Sequence, residues 1–141
     1  MAKYKVSSNS IFRVDATAGG TLINMTAYID TIDGLGRAYG QLDVTAFADA
    51  AERFVPGIEL AQEWTVAGHF DDTSTGPHGV FSLVVGTIVT TEWNPAGTAS
   101  TRPKFTTEAL VTFYRVRGEV KGRLEYEAGF RQDGTMVIGT N

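Results

Sequence analysis

Along the last part of the chain the side chains sort by parity. From Phe105 to Val116, Leu110, Thr112, Tyr114 and Val116 fall on one side and Val111, Phe113 and Arg115 on the other. Gly118–Gly122 supplies turn chemistry. The chain then resumes with Leu124, Tyr126, Ala128 and Phe130 in one phase and Arg123, Glu125 and Glu127 in the other. A helix repeats its faces every 3.6 residues and cannot serve a period of two, so this span predicts a β-hairpin at about residues 105–131. Pairing across it sets Arg115 opposite Glu125, a contact worth about 0.2–1 kcal/mol when exposed. Asp133-Gly134 reads as a further turn, with Thr135–Ile138 as a final short strand.

The same period marks Trp64, Val66, Gly68 and Phe70 as one face of a strand, with Glu63, Thr65, Ala67 and His69 opposite. Ile11–Val14 and Thr21–Met25 read as short strands around the Asp15–Gly20 turn, and Thr26–Asp33 as another extended piece. Val80–Ile88 is ambiguous. Its β-branched content favours a strand, but Pro77 and the Ser/Thr residues before it are helix-start chemistry, and the reading adopted is a short helix ending near Gly86. Thr87–Trp93 is extended again, and Asn94–Lys104 is a polar loop. The sum, about seven or eight strands and one short helix, is an all-β chain whose natural architecture is a β-sandwich.

At 141 residues the chain reads as a single domain, residues 1–141, large enough to bury a core. Its net charge of −4 comes with no basic stripe, which argues against general nucleic-acid binding. There is no cysteine, so disulfide and thiol chemistry are excluded. The N-terminal segment lacks a signal-peptide apolar region, and no apolar run approaches ~18 residues, so no membrane span is expected.

Candidate chemistry is sparse. His69 and His78 lie near Asp71 and Asp72, but the spacing matches no metal-ligand pattern and the aspartates sit in a turn. No serine stands in a nucleophile elbow. Glu125 and Glu127 share one face of one strand, which suits a solvated surface better than paired acid catalysis. Gly34–Gly40 is G-x-G-x-x-x-G without the Lys-Ser/Thr of a phosphate loop. Asn24-Met25-Thr26 is a chance sequon. Trp93, Tyr114 and Tyr126 would serve a carbohydrate-binding module if they shared an exposed face, although Tyr114 and Tyr126 are in phase with Leu110 and Leu124. No enzyme activity, cofactor or metal is expected.

One segment lacks an internal purpose. Residues 34–57 read as a long loop, too glycine-rich at Gly34–Gly40 for regular structure, strand-like only at Leu42–Thr45, and broken at Pro56-Gly57. It carries Phe47 and Phe54, which either tuck under their own fold or anchor a partner, since aromatics are favoured hot spots. Loops of this length in compact folds are usually functional.

These residues resemble a known family. Asp43-Val44-Thr45, Phe47, Arg53-Phe54, Pro56-Gly57, Gly68 and Phe70-Asp71 follow the signature region of the major tail (tail-tube) proteins of long-tailed bacteriophages. Ala27–Asp33 fits the element upstream of it. Ala48 departs, standing where a glycine is common. The resemblance implies a β-sandwich with one flanking helix that assembles into stacked homohexameric rings around a tape-measure protein. The tube would meet tail-end proteins and later convey DNA without binding it specifically, and its place would be the virion after assembly in the host cytoplasm. The long loop would reach a neighbouring ring, with Leu35, Tyr39, Val44, Phe47, Arg53, Phe54 and Pro56 as contacts. Six subunits would join sheets edge to edge around a lumen, and an acidic lumen, with Glu108, Glu125 and Glu127 as candidates, would repel phosphate. Alternatives are another virion β-sandwich, such as a tail terminator or capsid decoration protein, or the carbohydrate-binding module.

Overall fold

The computed structural model describes residues 10–15, 20–118, 120 and 122–141. Most of the expected Asp15–Gly20 turn and part of the Gly118–Gly122 turn therefore lie outside the described residues. The elements run β1 (Ile11–Val14), β2 (Ile23–Asn24), a 3-10 turn (Thr26–Tyr28), β3 (Thr31–Asp33), β4 (Ala38–Asp43), β5 (Phe54–Leu60), β6 (Glu63–His69), α1 (Pro77–Val84), β7 (Ile88–Asn94), β8 (Pro103–Arg117) and β9 (Glu125–Thr140). The class is all-β with one short helix, as expected. Among the described residues there are nine strands rather than seven or eight.

Seven strands form one antiparallel sheet in the order β2-β1-β7-β8-β9-β6-β3, and β4 and β5 form a separate two-stranded sheet. In the large sheet β1 and β6 stand four steps apart, about 19 Å if it were flat. Yet the rings of Phe12 on β1 and Trp64 on β6 lie 5.7 Å apart, edge to face. The sheet must therefore coil over until its two wings face each other, which gives the sandwich. Trp64 stacks on Phe130 of β9 at 4.3 Å, and Phe81 of α1 meets Phe130 at 5.7 Å, so the helix roofs the same core. Gly68 is obligatory here: a Cβ at this position would overlap the carbonyl oxygen of Tyr28, where the 3-10 turn crosses β6.

Helix α1 follows from its first residue. Pro77 has φ preset for a helix and lacks only an N–H that would be orphaned there anyway. Pro77, Val80, Phe81 and Val84 then fall on the buried face. The helix ends at Val84, just short of Gly86, whose φ is +83°.

The long strands depart from simple alternation in two places. A bulge between Val111 and Phe113 on β8 resets the phase, so Thr107, Ala109 and Val111 are buried before it and Tyr114 turns inward after it. The predicted face of Leu110, Thr112, Tyr114 and Val116 is therefore broken, and the expected Arg115–Glu125 pair is also corrected, because the strands meet in a register offset by two residues from the expected one. Arg115 stands opposite Glu127, while Arg117 stands opposite Glu125 with an ion pair of 3.3 Å. The second departure is Asp133-Gly134. It is no turn, because β9 runs unbroken through it, with Gly134 at φ +83° and the register against β8 slipping between Thr106 and Glu108. Thr135–Ile138 is thus the far half of one long strand. The reading of Thr26–Asp33 as extended holds only from Thr31 onward.

Candidate interaction surface

The stretch read as a long loop over residues 34–57 is mostly a β-ribbon. β4 and β5 pair from Ala38↔Leu60 to Asp43↔Phe54, with an irregularity between Tyr39 and Gln41. Pro56-Gly57, read as a break, lies inside β5, and Ala38–Gly40, judged too glycine-rich, begins β4. Pro is tolerated there because the alternation of the ladder turns its missing N–H outward. Val44 N–H donates inward to the Arg53 carbonyl at 2.9 Å, so Val55 also faces inward and Pro56 faces the open edge.

The tip, residues 44–53, holds itself in shape. The Asp43 carboxylate accepts from Thr45 N–H at 2.9 Å, and these bonds hold its pKa below the usual range. Asp49 accepts from Ala46 N–H at 2.7 Å, the Thr45 hydroxyl accepts from Arg53 N–H at 2.8 Å, and the Arg53 guanidinium lies 3.6 Å from Asp49. An ordered tip therefore presents Phe47 fully to solvent.

Polarity on the ribbon is inverted. Along β5, Ile58 is 81% exposed and Leu60 45%, while Glu59 between them turns toward the body with a side chain only 9% exposed. Its Oε1 takes a hydrogen bond from Arg37 Nε at 2.5 Å, and its Oε2 accepts from Met136 N–H and Gln132 Nε2, each at 3.0 Å. Burial alone would raise the Glu59 pKa. The bonds from Arg37, Met136 and Gln132 outweigh it, and the carboxyl titrates below its usual range. Glu59 thus fastens the root of the ribbon to β9, just past Gly134, while the aliphatic side chains face outward.

Of the residues expected to make contacts, Tyr39, Val44, Phe47, Arg53, Phe54 and Pro56 are gathered on this exposed ribbon. Leu35 is not, because it packs against the core. Leu42 and Val55, within the same stretch, and Ile58 and Leu60, beyond the expected loop, are exposed on the ribbon as well, and the alternation of Ile58 and Leu60 around Glu59 signalled a strand.

The three acidic candidates share the outer face of the large sheet, since Tyr126 and Ala128 beside them are buried, as are Thr107 and Ala109 beside Glu108. That face is mixed rather than acidic. Glu125 is held below its usual pKa by Arg123 at 2.8 Å and by Arg117, and Arg123 also pairs with Asp30. Glu127 stands opposite Arg115, Arg131 pairs with Glu63 at 2.6 Å, and Glu108 accepts from the Thr90 hydroxyl at 2.7 Å.

The two histidines diverge. His69 lies against Arg123, and His78 Nδ1 is 3.2 Å from the Tyr114 hydroxyl. Among the described residues no three potential metal ligands come together. The aromatics that a carbohydrate platform would need are dispersed: Tyr126 is buried, Tyr114 is half-buried beside Phe81, and Trp93 packs on Phe105 with its indole N–H on the Ser10 hydroxyl. No helix among the described residues is long and apolar enough to cross a membrane.

No family model and no curated protein matches the chain. Solved structures do. The tail of an empty gene transfer agent particle, refined with helical C6 symmetry, superposes with a TM-score of 0.76 at 14% identity, covering 97% of this chain and 100% of that one. The fold is that of a tail tube. The SPP1 tail tube matches with a TM-score of 0.71 at 10% identity, covering 97% of this chain and 80% of that one. The tube-terminating cap of the anti-feeding prophage matches at 0.65 and 12% identity, over 100% of this chain and 95% of that one. The tail-tube fold here takes in the ribbon as well as the coiled sheet, since these matches run nearly end to end.

Proposed function

We propose that this protein is a non-enzymatic structural subunit that assembles with copies of itself into stacked hexameric rings, forming the tail tube of a virion and a conduit for its genome. The carrying observation is the ribbon. Its acidic side chain is spent on holding its own root, and its aromatic and aliphatic side chains are offered to solvent on an ordered frame. Contiguous exposed apolar surface marks a site of association. The full-length likeness to a helical C6 tail supports copies of the same chain as the partner.

In this reading the chain is one domain, and Tyr39, Val44, Phe47, Arg53, Phe54 and Pro56 contact a neighbouring subunit. A tape-measure protein fills the tube during assembly in the host cytoplasm, tail-end proteins close it, and DNA later passes without specific binding. The face bearing Glu108, Glu125 and Glu127 is the candidate lumen wall. With Arg115, Arg117, Arg123 and Arg131 beside those acids, its repulsion of phosphate is local rather than general.

Negative-stain electron microscopy of the purified protein tests the proposal. Six-fold rings and tubes are expected. A monodisperse monomer that persists at high concentration overturns it. A tube-terminating role is the second reading, favoured by the likeness to the anti-feeding prophage cap, and it would give single rings that do not stack.

A further inference from the structure

Beyond its bulge, β9 has a neighbour on one side only among the described residues. Residues 137–140 pair with residues 103–106 of β8, whereas the pairing of β6 with β9 ends at Glu63↔Arg131, and no described strand lies along the other edge. Two hydrogen bonds fix which groups point that way. Asn141 N–H donates inward to the Arg102 carbonyl at 2.9 Å, and Met136 N–H donates outward to Glu59 at 3.0 Å. Strand alternation between these points turns the N–H and C=O of Ile138 and Thr140 outward. Glu59 caps the first outward donor of this edge, and the next two have no partner among the described residues. Val137, 61% exposed, and Ile138, 45%, flank them.

The ribbon has the complementary feature. Its β5 edge is blunted by Pro56, which has no N–H to offer there. Its β4 edge, Ala38–Asp43, contains no proline and pairs with nothing on its outer side among the described residues. It is β5, through Glu59, that approaches β9 of the same chain, so the β4 edge cannot turn back onto its own β9. The other sheet edges, β2 and β3, are only two and three residues long.

Resting on the self-assembly reading above, we propose that β4 of one copy adds as a strand to the Ile138–Thr140 edge of β9 in a second copy, with Tyr39 and Leu42 packing against Val137 and Ile138. Joining two different surfaces makes the contact heterologous. Such contacts close into rings or propagate as helices rather than stopping at dimers. Glu59 serves both ends of the arrangement: it aims the donor ribbon away from its own acceptor and caps the acceptor where it starts.

The chain has no cysteine, so introduced ones report cleanly. Single-cysteine preparations at Gln41, Leu42 or Asp43 are mixed with single-cysteine preparations at Val137, Ile138 or Gly139, assembled and oxidised. Cross-linking demands close approach of the two backbones. At least one mixture is expected to give a disulfide heterodimer tenfold or more above either preparation alone. In parallel, Ile138→Pro removes an N–H that has no partner among the described residues of the subunit. It is expected to keep the parent melting temperature and lose at least tenfold in assembled fraction, while Val137→Pro, which removes an inward bond, lowers the melting temperature. Rings or tubes from the parent and equally from Ile138→Pro overturn the edge and leave self-assembly standing. Cross-links of Ile138→Cys only to itself overturn β4 as the occupant. A parent that never assembles overturns both.

Discussion

Two antiparallel ribbons of this protein relate polarity to burial in opposite ways. In β8–β9 the inward phase is apolar, with Val111, Tyr126, Ala128 and Phe130 buried and Arg117 and Glu125 outside. In β4–β5 the inward residue is Glu59, and Ile58, Leu60 and Phe54 face out. Both are antiparallel ladders, so the kind of backbone pairing does not distinguish them. What differs is where the apolar side chains lie: in the first ribbon they are covered within the chain, and in the second they are exposed. A hairpin of the first kind builds the core of its own chain, and one of the second kind is the surface that the proposed assembly would cover.

The comparison breaks most visibly in the core. Trp64→Ala removes the ring that joins Phe12 to Phe130 and is expected to cost about 3–5 kcal/mol, read as a lowered urea midpoint. A small change would mean that the facing wings are not packed as described. On the ribbon, Phe47→Ser is expected to stay within about 0.5 kcal/mol of the parent in stability, since the ring touches nothing in its own chain, yet to abolish tubes by electron microscopy. A large loss of stability would move Phe47 to the buried class.

Glu59→Gln keeps the shape but discards the charge that Arg37, Gln132 and Met136 share. It is expected to speed amide exchange along Phe54–Leu60 while β8 and β9 exchange as before. Acid should act similarly. Because the folded pKa of Glu59 is depressed, its stabilising contribution is present above the ordinary value of 4.5 and is lost as pH falls through the depressed value. Proteolysis of the ribbon should therefore be flat from neutral pH down to the ordinary value and rise only below it. A rise beginning nearer neutrality would point to a different anchor. The smallest effect is expected for Arg117→Ala, an exposed pair whose loss should leave the urea midpoint unchanged within error.

Much of the fold was legible. The phase of Trp64–Phe70 and of Tyr126–Phe130, and the helix-start chemistry of Pro77, required only local periodicity. The apolar content around Phe47 and Phe54 was legible as unexplained, and the resemblance to tail-tube proteins, rather than the residues alone, made it a contact surface. Its ribbon form was hidden by Gly40, Pro56 and Gly57, which usually punctuate structure and here sit in a two-stranded sheet with a free edge. The pairing of Arg117 with Glu125 was not legible, because side-chain alternation cannot tell one register from another two residues away: both keep every side chain on the same face.

The sequence alone determined what local chemistry decides: strands where side chains alternate, and one helix where proline permits a start. Gly134 shows where that reach ends. A residue with positive φ serves a turn and a bulge equally well, and the choice depends on what lies alongside. Here the Glu59 carboxylate and the Gln132 side chain, which also donates to the Gly134 carbonyl at 2.8 Å, hold the slipped register of one long strand. Only the tertiary structure brings those groups together. It thereby decided that β9 continues, that the ribbon leaves the body at that point, and that one edge of β9 has no strand beside it among the described residues.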